Sequence, residues 1–317
     1  MNIVILDGYT NNPGDLSWDE LKKLGECTVY DRTPPEKIID RAKDAEIVLT
    51  NKTNLSKSVL EQLPKLGYIG VLATGYNVID LEATRERNIV VTNIPAYSTP
   101  SVAQMVFAHI LNFTQHVCQH STGVKSGKWA ESVDFCYWDF PLLELSGQTL
   151  GIVGGGKIGV ATGRIAKAFG MNVNLYTPRP SEMVKNEFQV VTLDKVISES
   201  DFISLHCPLT KETYRLINAD RIEQMKSTCY LINTGRGDLI DEEALADALN
   251  RDRIAGAGVD VLSTEPPSKD NPLLTAKNCW ITPHIAWATK ASRKRLINIA
   301  VDNVKNYIQG NIINRVN

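Results

Sequence analysis

Little in this chain commits it to a specialised class. Cysteine is sparse: Cys27, Cys118, Cys136, Cys207, Cys229 and Cys279 are scattered over 317 residues without a CxxC pair. That excludes a disulfide-stapled scaffold and the usual zinc-ribbon spacings. The thiols are expected to be reduced and mostly buried, because several stand in apolar, strand-like runs where cysteine behaves as a small hydrophobe. Neither sign of charge is in surplus: 34 basic and 36 acidic residues leave a formal charge of −2. Nucleic acid and anionic membranes are therefore disfavoured as partners. No apolar run is long enough to cross a bilayer. The longest, Val102 to Phe113, is interrupted by Gln104 and His109 and falls short of the ~20 residues required. The N-terminus opens directly on a strand pattern, Asn2-Ile3-Val4-Ile5-Leu6-Asp7, with no basic or cleavage-type segment, so a cytoplasmic protein is expected.

What is present is ordinary globular material, 43% hydrophobic and 22% charged. A chain of 317 residues exceeds the usual single core, which predicts two domains. Short β-branched runs near Ile3–Asp7, Thr28–Asp31, Ile47–Thr50, Tyr68–Leu72 and Ile89–Thr92 alternate with helical patterns. Among these are Trp18–Leu24, opened by a Ser17/Glu20 capping box, and Pro35–Ala42 with proline in its first turn. A second series runs through Thr149–Gly154, Asn172–Tyr176, Phe202–His206, Cys229–Asn233, Ala257–Val261 and Cys279–Thr282. Strand–helix alternation predicts parallel sheets, hence an α/β protein of two doubly wound units.

Pro95 and Pro100 mark a hinge before a long helix pattern that reaches His116. A final helix pattern, Thr289 to Gln309, is expected to pack back on the first unit. The predicted domains are then 1–98 with 289–317, and 99–288. Between the long helix and the next strand lies an irregular stretch, Trp129 to Leu145, rich in aromatics: Phe135, Tyr137, Trp138 and Phe140. Such loops are usually functional, and aromatics favour subunit contacts, so a dimerisation arm near 118–145 and a homodimer are expected, against the alternative of a flap on the chain's own core. His116 and His120 stand at i, i+4 with His109 two turns earlier, a helix face read as packed or solvated. No metal is expected.

The strand Thr149 to Val153 runs into Gly154-Gly155-Gly156-Lys157-Ile158-Gly159, which opens a helix pattern. GxGxxG in this setting predicts a dinucleotide site. Gly154 makes the tight turn, Gly156 admits a pyrophosphate to the backbone, Gly159 packs helix on strand, and the helix N-terminus attracts phosphate. About 20 residues on, where an acidic residue would hold the ribose of NAD, stands Thr177, followed by Arg179. Without that carboxylate a 2′-phosphate is not repelled, and Arg179 could pair with it, so NAD and NADP both stay open. His206, in His206-Cys207-Pro208, ends a strand near this loop, and it is expected to line the cofactor pocket together with Cys207 and Pro208.

Three further residues fall at strand ends of the second unit: Arg236 in Asn233-Thr234-Gly235-Arg236-Gly237, Glu265 in Ser263-Thr264-Glu265-Pro266-Pro267, and His284 in Thr282-Pro283-His284. A cation, a carboxylate and an imidazole at such edges are what hydride transfer to a 2-keto acid needs: a carboxylate clamp, a proton donor and a group to tune it. Here the sequence resembles the D-isomer-specific 2-hydroxyacid dehydrogenase family, and within it the glycerate dehydrogenase/hydroxypyruvate reductase type. The likeness spans essentially the whole chain. It is carried by Ala73-Thr74-Gly75-Tyr76-Asn77, Ala96 to Ala103, Gly154 to Gly159, Asn233 to Gly237, Asp260 to Pro266 and Thr282 to Thr289.

The resemblance implies a Rossmann nucleotide-binding domain and a flavodoxin-like substrate domain with a cleft between them. By the same likeness, His284 is the general acid in keto-acid reduction, Glu265 hydrogen-bonds it and favours the imidazolium, and Arg236 clamps the substrate carboxylate. The amides of Ala73, Thr74 and Gly75 cradle that carboxylate from the other side. Lys157, Ile158, Thr234, Gly235, Arg236, Asp260, His284 and Ala286 face the cofactor, with Asp260 at the nicotinamide end. The implied activity is NAD(P)-dependent reduction of a hydroxypyruvate- or glyoxylate-like 2-keto acid. A nucleotide-gated, corepressor-like binding protein on the same fold is the alternative, and the complete Arg236/Glu265/His284 set weighs against it. A formate dehydrogenase would be expected to carry glutamine where Glu265 stands.

Overall fold

Runs of Val, Ile and Leu form the strands because branched side chains suit a pleated surface covered on both faces. The structure, a computed structural model, describes residues 1–317 and divides into two units, Met1–Ser98 with Trp287–Asn317, and Thr99–Ala286. The first holds β1 (Asn2–Ile5), β2 (Glu26–Val29), β3 (Ile47–Thr50), β4 (Tyr68–Val71) and β5 (Val90–Thr92). All pair in parallel, in the order β2-β1-β3-β4-β5, the flavodoxin-like arrangement. Alternation along each strand divides the core. Ile47 and Leu49 join Ile3, Ile5 and Tyr68 in one cluster, and Val48 joins Val4, Ile69 and Val71 in another. The first cluster is completed by the C-terminal helix Lys290–Ile308, whose Leu296, Ile297, Ala300 and Val304 form one apolar stripe.

The second unit holds β6 (Thr149–Val153), β7 (Asn172–Tyr176), β8 (Gln189–Val190), β9 (Phe202–Leu205), β10 (Tyr230–Asn233), β11 (Gly256–Val259) and β12 (Cys279–Ile281). Their order is β12-β11-β10-β9-β6-β7-β8, all parallel. Strand order reverses between β6 and β9, and doubly wound sheets bind ligands beyond the carboxyl ends of the strands at such a point. Both sheets are the parallel α/β sheets that the strand–helix alternation predicts. No helix is long and apolar enough to cross a membrane.

Local details depart from expectation where short-range signals compete. The predicted helix over Trp18–Leu24 is only Asp19–Lys22, and its capping box does not form. Ser17 Oγ accepts from Asp19 N at 2.9 Å, and Glu20 is drawn to Lys23 Nζ at 2.6 Å. The two-residue edge strand β8 is too short to show a period. The six thiols are free, but only Cys229 is buried; Cys118 and Cys136 are exposed and the rest half-buried. The expectation of mostly buried cysteines fails because Cys118 and Cys136 fall outside the strand runs. The long helix, Thr99–Gln115, ends where His116 takes φ 48°, and a second helix, Val117–Lys125, follows. His109, His116 and His120 therefore share no helix face. His116 stacks on Phe140 at 4.5 Å and His120 Nε2 accepts from Asp139 N at 3.2 Å, so both rings serve the aromatic segment. That segment, Trp129 to Leu145, has neither helix nor strand.

Candidate active site

At the end of β6, Gly154 has φ +116° and donates its amide to Tyr176 O at 2.8 Å. A Cβ there would lie 2.6 Å from the His206 carbonyl, so the turn admits only glycine. Gly159 is buried two residues into the helix Lys157–Ala168, with Lys157 exposed and Ile158 half-buried before it. Gly156 is the N-cap of that helix and carries no side-chain cap, and nothing lies within 4 Å of where its Cβ would be. Open space over an uncapped helix N-terminus fits a phosphate group. Thr177 packs under the loop, its Cγ2 2.9 Å from the Cβ position of Gly155, and Arg179 is exposed. On the other flank, burial raises the pKa of the Cys207 thiol, and Pro208 is exposed. The Thr234 hydroxyl is buried with no partner in the chain, a polar atom that a bound ligand could satisfy. The glycine loop, the bare helix end and this orphaned hydroxyl fit a dinucleotide.

The chemical groups leave the carboxyl ends of β10, β11 and β12, which lie side by side with Asn233 opposite Val259 and Val259 opposite Ile281. The Asn233 side chain closes a turn on itself: Oδ1 accepts from Gly235 N at 3.0 Å and Nδ2 donates to Arg236 O at 2.8 Å. A Cβ on Gly237 would sit 1.9 Å from Leu262 C, so this turn lies backbone to backbone on the segment that leads to Glu265. Arg236 is exposed, and its guanidinium hydrogen-bonds within the chain only to Gly235 O at 2.7 Å.

Glu265 accepts from Leu262 N at 3.1 Å through Oε1, and its Oε2 lies 2.6 Å from His284 Nδ1. Engaging Nδ1 leaves Nε2 as the nitrogen available to a substrate. The two side chains are 30% and 33% exposed, close enough to solvent to be reached. His284 itself has φ 52°, a left-handed value uncommon outside glycine. Asp260, 1% exposed, holds the turn that imposes it. Its Oδ1 accepts from Thr282 Oγ1 at 2.6 Å and Ile285 N at 2.9 Å, and its Oδ2 from Ala286 N at 2.8 Å.

The remaining predicted residues, Ala73, Thr74 and Gly75, belong to the other unit, where they follow β4. Ile94 N donates to Ala73 O at 3.0 Å, Thr74 Oγ1 to Ile94 O at 2.9 Å and Asn93 Nδ2 to Thr74 O at 2.8 Å. The amides of Thr74 and Gly75 have no partner in the chain. Sequence reading gave no part to Asn233 and Thr282, which shape the two turns. Asparagine at a strand end before Thr-Gly is itself a turn signal. Thr282 left none, since its partners stand 22 and 173 positions away.

A family model for D-isomer specific 2-hydroxyacid dehydrogenase, NAD binding domain, matches residues 107–286. The chain is 50% identical, over all of both chains, to the hydroxypyruvate reductase of Blautia hydrogenotrophica. The chain belongs to the D-isomer-specific 2-hydroxyacid dehydrogenase family. It is an NAD(P)-dependent oxidoreductase acting on the CH–OH group of 2-hydroxyacids. Solved relatives agree with this dehydrogenase in fold. The D-lactate dehydrogenase of Lactobacillus jensenii with NAD+ superposes with a TM-score of 0.84 at 28% identity over 100% of this chain and 99% of that one. An acyclic imino acid reductase in complex with NADPH and D-Arg superposes with a TM-score of 0.86 at 30% identity over all of both chains. The comparisons favour turnover over a binding-only role for the dehydrogenase.

Proposed function

We propose that the enzyme reduces a small 2-keto acid of the hydroxypyruvate or glyoxylate kind to the D-2-hydroxy acid, and that the unit Thr99–Ala286 carries the dinucleotide while the other unit serves the substrate. The observation that carries the reading is the 2.6 Å pair of His284 Nδ1 and Glu265 Oε2 beside the exposed Arg236 turn. The likeness to a hydroxypyruvate reductase supports the substrate class. When bound, a nicotinamide dinucleotide would supply the hydride for reduction or accept one in oxidation. Gly154, Gly156, Lys157, Ile158, Gly159, Thr177, Arg179, Cys207, Pro208, Thr234, Gly235 and Ala286 would hold it. Arg236 offers a forked guanidinium to the substrate carboxylate, and in the other unit the free amides of Thr74 and Gly75 are donors open to a substrate. His284 gives a proton from Nε2 to the developing alkoxide, while Glu265 on Nδ1 fixes the ring and stabilises its charged form. Asp260 acts mainly by holding the turn, since its oxygens are already engaged by Thr282, Ile285 and Ala286.

The test is the change in nicotinamide absorbance when purified enzyme meets a panel of 2-keto acids, with NADH and then NADPH. Fastest turnover on an acid larger than three or four carbons, or none on any keto acid, refutes the substrate reading. We also propose a cytoplasmic homodimer joined through the arm near 118–145. Phe135 is 89% and Trp138 66% exposed, far more than a lone flap leaves uncovered. Trp138→Arg should shift the mass measured by light scattering from dimer toward monomer; an unshifted dimer removes the arm from the interface.

A further inference from the structure

His109 has no part in the chemistry above, yet it stands directly behind it. It lies on the helix Thr99–Gln115 and is 5% exposed. Its ring presses on β11 so closely that a Cβ on Gly258 would fall 2.8 Å from Cγ and Nδ1. Nε2 is 3.3 Å from Thr282 Oγ1, and Thr282 Oγ1 is 2.6 Å from Asp260 Oδ1. A hydroxyl has one proton, and an ionised carboxylate only accepts. The Thr282 proton therefore goes to Asp260, and the contact behind it has to be His109 Nε2–H donating to the Thr282 oxygen. Burial lowers the pKa of His109, so the neutral ring is the donor. Asp260 then passes the constraint on, through the amides of Ile285 and Ala286, to the turn in which His284 holds its left-handed φ. Such a conformation lasts only where the surroundings over-determine it.

We infer that His109 is a positioning residue for His284, acting through a buried chain of hydrogen bonds by way of Thr282 and Asp260. This rests on His284 being the proton donor. A hydrogen-bond chain of this kind is stronger than its separate members, because each donor polarises the next. His109→Met keeps volume and apolar contact but removes the donor. His109→Gln keeps an N–H at similar reach.

The expected result is a fall of about threefold to tenfold in kcat for keto-acid reduction by His109→Met, with most of the loss recovered in His109→Gln although both melt at similar temperatures. The isosteric Thr282→Val supplies a second route if the first variant folds poorly. It should lose a comparable factor, and the double variant His109→Met/Thr282→Val should be no slower than Thr282→Val alone. Wild-type kcat in His109→Met, equal losses in His109→Met and His109→Gln, or losses that multiply in the double variant each overturn the inference. His284→Ala is measured alongside. If it too keeps wild-type turnover, the proton-donor reading has failed; if it is inactive while His109→Met is unaffected, only the relay has failed.

Discussion

Replacing Glu265 with glutamine isolates the part of the site on which the proposed chemistry leans most. The side chain keeps its size, and a carbonyl oxygen can still accept from Leu262 N, but the negative charge opposite His284 Nδ1 is gone. A hydrogen bond to a charged partner is worth about 1.5–3 kcal/mol. His284 and Glu265 are 30% and 33% exposed, so water screens the pair and the lower half of that range applies. A loss of about 1.5–2 kcal/mol in the transition state corresponds to roughly a 10- to 30-fold fall in kcat. The assay is steady-state reduction at saturating cofactor and keto acid, with cofactor affinity measured separately by nicotinamide fluorescence. Cofactor affinity should not change, because the glycine loop rises from β6 and not from β11. A kcat within about twofold of wild type would show that the 2.6 Å contact has no role in turnover.

His284→Ala removes the donor itself and should cost roughly 10²–10⁴ in kcat while cofactor affinity holds, as a binding titration would report; intact turnover would end the acid–base assignment. Arg179→Ala should weaken NADPH more than NADH. An unchanged ratio of kcat/KM for the two cofactors would make that residue a bystander. Burial pushes the pKa of His206 down to about 4 from the ordinary 6.5. Between these values the unfolded chain binds a proton at His206 that the folded chain refuses, so the contribution of this one group to stability should fall as pH drops from about 6.5 to about 4, by up to about 3 kcal/mol. Denaturation midpoints of wild type and His206→Asn across that window check this, and equal slopes for the two would refute it.

The alternation of β-branched runs with amphipathic stretches carried both sheets, because period and composition are local properties that a parallel strand keeps wherever it lies. The glycine loop was legible for the same reason: strand, tight turn and helix start are contiguous, and Gly154 and Gly156 stand within three residues. Arg236, Glu265 and His284 could be named from their strand-end motifs. That Glu265 reaches His284 at 2.6 Å depends on β10, β11 and β12 lying side by side, which no stretch of sequence states. His109 shows the limit most clearly. As a string it read as one histidine of a helix face shared with His116 and His120, but the helix breaks at His116, and only the packing of Thr99–Gln115 on β11 sets the ring behind Thr282. Short-range order followed from the amino acids in their local spacing. Which side chains meet across 173 residues was decided by tertiary packing, because a hydrogen bond depends on distance in space and not on separation along the chain.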